Sequence, residues 1–77
     1  MPTEAELERI ISSRQVLGIY ERNGLPGGRI EDTLRMLSEE IAFLRGHIER
    51  YPETTESISA LIRRWEGIRD RVKATAN

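Results

Sequence analysis

From Ile30 to Tyr51 the apolar residues Ile30, Leu34, Leu37, Ile41, Leu44, Ile48 and Tyr51 succeed one another at gaps of 4, 3, 4, 3, 4 and 3. An unbroken alternation of this kind lays every one of those side chains along a single face of one helix, and that face must be buried against a matching one. The match follows in the same chain, where Ile58, Leu61, Trp65, Ile68 and Val72 are spaced 3, 4, 3 and 4. Tyr51-Pro52 separates the two seams, because the proline ring disfavours helical geometry at the residue before it. Thr54 or Thr55 is then placed to cap the following helix. Two seams of similar length joined by so short a turn read as an antiparallel, coiled-coil-like hairpin, with helices crossing at roughly 20°.

An additional helix precedes the hairpin. Thr3 stands three residues before Glu6, and Glu4, Glu6 and Glu8 crowd the next turn, which together make a capping box and an acidic first turn. The helix runs through Leu7, Ile10, Ile11, Val16, Leu17, Ile19 and Tyr20 to Asn23, where Gly24-Leu25-Pro26-Gly27-Gly28 breaks it. The expected fold is therefore all-α: one domain over residues 1–77, with helices over about 3–23, 29–51 and 54–74. Helix 1 packs on the hairpin or on a second subunit, and Ala74 to Asn77 is expected to fray. Nothing alternates with the period of two that a strand requires.

Composition bounds the function. With no cysteine and one histidine among 77 residues, a disulfide framework, a thiolate site and a histidine-based zinc cluster all lack ligands. No apolar stretch approaches the roughly 20 residues that span a bilayer or resembles a signal sequence, so a cytoplasmic protein is expected. Twelve Lys+Arg against 13 Asp+Glu, with the signs interspersed, give a formal net charge of −1 and no long-range field for a polyanion. A chain below about 80 residues seldom stabilises itself by more than roughly 3–5 kcal/mol from its core alone, which makes a second subunit or a bound partner the expected supplement.

The residues that carry chemistry elsewhere have plainer readings here. Gly24 to Arg29 precedes a helix N-terminus but follows a helix and ends in Gly-Arg-Ile, so it reads as a connector and not a phosphate loop. His47 lies seven residues after Glu40, out of hydrogen-bond reach, and reads as a solvated flank of the seam. Ser12-Ser13 and Ser57/Ser59 have no base beside them. No catalytic residue, cofactor site or metal site is expected.

Two features do point outward. Met36 and Phe43 repeat at seven residues on a line roughly 130° from the seam, at about 100° per residue. Val16, Leu17, Ile19 and Tyr20 surround helix 1 with apolar side chains, and a helix apolar all round must be covered all round. Val16, Ile19, Tyr20, Met36 and Phe43 are thus the candidate partner-binding residues. The expected function is a non-enzymatic protein–protein interaction module, a small adaptor or regulator that self-associates, a dimer being favoured, or docks on a larger protein. The alternative is a small nucleic-acid-binding regulator using Arg63, Arg64, Arg69 and Arg71. Glu66 and Asp70 interrupt that basic run and favour a solvated face.

Overall fold

The structure, a computed structural model, describes residues 1–25 and 27–76. It consists of α1 (Glu4–Asn23), α2 (Ile30–Arg50) and α3 (Thr55–Ala76), with a 3₁₀ turn at Pro52–Thr54 leading directly into α3. No strand occurs among the described residues.

Local chemistry sets most of the boundaries. The Thr3 hydroxyl accepts the Glu6 N–H at 3.2 Å while the Glu6 carboxylate accepts the Thr3 N–H at 3.0 Å, closing the capping box that starts α1. Gly24 ends the helix at φ 83° with its N–H on the Tyr20 carbonyl, a backbone that a β-carbon would strain. Pro26 and Asn77, which the loop and fraying expectations include, lie outside the described residues. Tyr51 leaves helical geometry at φ −132° immediately before Pro52. At α3 the expected cap takes another form. The Thr54 and Thr55 hydroxyls donate to the Tyr51 and Pro52 carbonyls at 2.7 and 2.5 Å, because the chain is already helical from Pro52 onward. The helix then continues through Ala74 and Thr75 to Ala76, two residues beyond the expected end at 74.

The two seams close on each other as an antiparallel hairpin. Leu37, Ile41 and Leu44 of α2 and Ile58, Leu61, Trp65 and Ile68 of α3 are all buried, and Ile62 joins them from beside the seam. The seam loosens towards its ends: Leu34, Ile48, Tyr51 and Val72 are half-buried, and Ile30 is 41% exposed. Helix α1 lies on the hairpin of its own chain and runs antiparallel to α2, so that Glu6 meets Tyr51 and Arg50 while Arg9 meets Glu40. It contributes Ile10 and Leu17 to the core. The result is an up-down-up bundle 41 Å long and 18 Å across in each other direction.

Candidate interaction surface

Helix α1 is held to the hairpin by a line of polar contacts beside its two buried apolar residues. At the centre the Trp65 indole N–H donates to the Ser13 hydroxyl at 3.0 Å, with Ser13 and Trp65 both 1% exposed. The Glu40 carboxylate accepts two bonds from the Arg9 guanidinium. Burial pushes the Glu40 carboxyl up, but the Arg9 bonds, helped by the Ser13 hydroxyl, outweigh it and leave the pKa below its ordinary value. The Arg9 guanidinium lies 4.3 Å from the centre of the Phe43 ring. At one end Tyr51 donates its phenolic proton to Glu6 at 2.7 Å. At the other, Arg64 of α3 grips Glu21 through Nε and Nη2. Tyr20 meets Trp65 edge-on, the ring centres 5.9 Å apart.

These contacts account for most of the residues that the apolar pattern singles out. Leu17 is fully buried, and Val16, Tyr20, Met36 and Phe43 are half-buried against the core of the same chain. Three helices, unlike a bare hairpin, widen the buried arc of each enough to reach them. Ile19 alone of the five candidates stays open, at 46% exposure. Two others near Ile10 stand out: Leu7 is 49% and Ile11 53% exposed, because Ile10 turns inward and they turn away. The hydrophobic positions of α1 repeat too evenly around the helix for the sequence to say which side would face the hairpin.

His47 corrects the sequence reading. It is 1% exposed, not a solvated flank, because the Phe43 and Tyr51 rings lie one turn to either side of it and α1 crosses above Tyr51. Ser13 was legible only as a serine without a base; its part as acceptor for a buried indole depends on a tertiary pairing that no local pattern announces.

The four arginines of the nucleic-acid alternative do not all share one side of α3, although Arg64 and Arg71 both act on Glu21. Arg64 is engaged by Glu21, and Arg69 stands 3.7 Å from Glu66 on another side of α3. Arg63 and Arg71 are exposed. Among the described residues the glycine loop gives no anion cradle either, since Arg29 pairs with Glu31 at 3.5 Å and Asp32 follows in the same first turn. Gly27 and Gly28 border an open groove of about 280 Å³ with Leu25, Ile30 and Val72. Among the described residues no group of acidic or histidine side chains is arranged to hold a metal ion, and no helix is long and apolar enough to cross a membrane. Compared with family models, curated proteins and solved structures, the chain has no match.

Proposed function

We propose that this chain is a non-enzymatic protein–protein interaction module, a small adaptor or regulator that works by presenting the outer side of α1. The observation that carries the reading is the exposure of Leu7, Ile11 and Ile19, each about half open, on a helix whose inner side is already satisfied. Single exposed leucines are ordinary on any surface. Leu7 and Ile11, however, are adjacent on successive turns and form one apolar spot. The titratable groups with shifted pKa values, Glu6, Glu21 and Glu40 among them, spend their charge on capping or interhelical pairs and do not converge on a cleft. A cytoplasmic setting belongs to the same proposal, and a cysteine-free composition suits a reducing compartment.

Photo-crosslinking from the surface tests this reading. A photoreactive phenylalanine analogue placed at Ile11 or Ile19 in cells is expected to give discrete protein adducts, while the same group at exposed Glu56 on α3 gives none. Absence of adducts at both α1 positions would overturn the proposal.

A further inference from the structure

The exposed side of α1 is polarised in charge as well as apolar. At about 100° per residue, Glu4, Leu7, Glu8, Ile11, Arg14 and Arg22 fall within an arc of roughly 120° whose middle is turned about 120° from Leu17. All six are exposed. The acids occupy the first half of the helix and the arginines the second. None of these four charges is in an ion pair among the described residues, whereas the other charges of α1, Glu6, Arg9 and Glu21, are all paired to the hairpin. On the same side Gly18 has no side chain, and only the guanidinium of its own Arg22 comes near the place where a β-carbon would be.

From this arrangement we infer that the occupant of the surface is a second copy of the chain, with the two α1 helices paired antiparallel about a two-fold axis near Ile11 to Arg14. Antiparallel pairing sets the Glu4 and Glu8 half of each helix against the Arg14 and Arg22 half of the other, while the two Ile11 side chains meet beside the axis and Leu7 falls opposite Gly18 of the second copy. A two-fold axis lets one self-complementary patch serve both subunits. Parallel pairing would instead set acid on acid. A face about 30 Å long on one helix is smaller than the roughly 1,200–2,000 Å² interfaces of stable dimers, so the association is weak, with half-dimerisation at about 0.1–1 mM in low salt. Salt weakens it, since the charges are exposed. The inference rests on the interaction-module reading and names its partner.

Sedimentation equilibrium on the full chain, from about 20 µM to 1 mM, tests the pairing. Wild type is expected to show a reversible monomer–dimer equilibrium, and Ile11→Glu to weaken it at least about tenfold with an unchanged circular dichroism spectrum and melting curve, since that side chain is not core. Glu4→Arg/Glu8→Arg alone and Arg14→Glu/Arg22→Glu alone are expected to be monomers, and an equimolar mixture to form one-to-one dimers. Because the chain has no cysteine, mixed Glu4→Cys and Arg22→Cys single variants report orientation, and an antiparallel pair gives the mixed disulfide in excess over either homodimer. Monomeric wild type at 1 mM, indifference to Ile11→Glu, or no recovery on mixing would overturn the pairing. An adduct from Ile11 to a different protein, with wild type monomeric, would remove the second copy and leave the interaction module standing. Dimers in solution with no adduct in cells would do the reverse.

Discussion

Ser13 shows what a single hydroxyl does in a bundle this small. The Trp65 indole N–H has left water entirely, and the hydroxyl is the partner that makes its burial tolerable. Ser13→Ala is expected to destabilise the fold by about 1–3 kcal/mol, read by urea titration, because it strands that donor. A smaller loss from Ser13→Ala than from exposed Ser12→Ala would overturn this account. Glu6 carries a second consequence at this scale. The Thr3 backbone N–H, followed by the Tyr51 phenol, holds its carboxyl down at about 2 from an ordinary 4.5. Folded chain thus binds this proton less tightly than unfolded chain, so the stabilisation is complete above about 4.5 and is lost as pH falls towards about 2. Urea midpoints measured across that window should fall less steeply for Glu6→Gln than for wild type, and parallel slopes would count against the anchor. Of these residues the sequence announces Glu6 as a capping partner, through the Thr3 spacing, and nothing more. Its bond to Tyr51 joins positions far apart in the chain, as Ser13 to Trp65 does.

Elements were legible in proportion to how one-sided they are. Helices α2 and α3 each carry one continuous apolar seam, so their mutual packing and the burial of Leu37, Ile41, Leu44, Leu61, Trp65 and Ile68 could be read from spacing alone. Helix α1 could be bounded, by Thr3 and Gly24, but not oriented. Its inward side is chosen by Arg9, Ser13 and Glu21 finding partners on the other two helices as much as by Ile10 and Leu17. Surface ion pairs are worth little singly, typically about 0–1 kcal/mol, so the docking of α1 depends on several of them acting with its short apolar contact. The Tyr51 phenol adds an alkaline limit: its bond to Glu6, with burial and the Glu6 charge behind it, raises its pKa. The contribution is full below the ordinary value of 10.0 and is lost as pH rises through the higher folded value, and Tyr51→Phe should remove that part of the alkaline loss in thermal melts. At the other boundary, Gly24→Ala is expected to cost about 1 kcal/mol or more through its φ of 83°, with no neighbour displaced.

For the whole molecule, one core shared by three helices in a rod 18 Å across leaves little redundancy. Truncating Leu44, fully buried, to alanine is expected to cost about 2–5 kcal/mol, comparable with everything a domain of this size has. A loss below about 1 kcal/mol in urea would show that the seam is not the core. The position of Trp65 also makes it an optical gauge. It is the only tryptophan in the chain, and two of its neighbours, Ser13 and Tyr20, come from α1. Lifting α1 off the hairpin would wet the indole and take away its hydrogen-bond acceptor while Ile41, Leu61 and Ile68 stayed folded together. Emission would then move to longer wavelength ahead of the loss of helical ellipticity. The interval between those two signals measures, without any added label, how independently the first helix can leave.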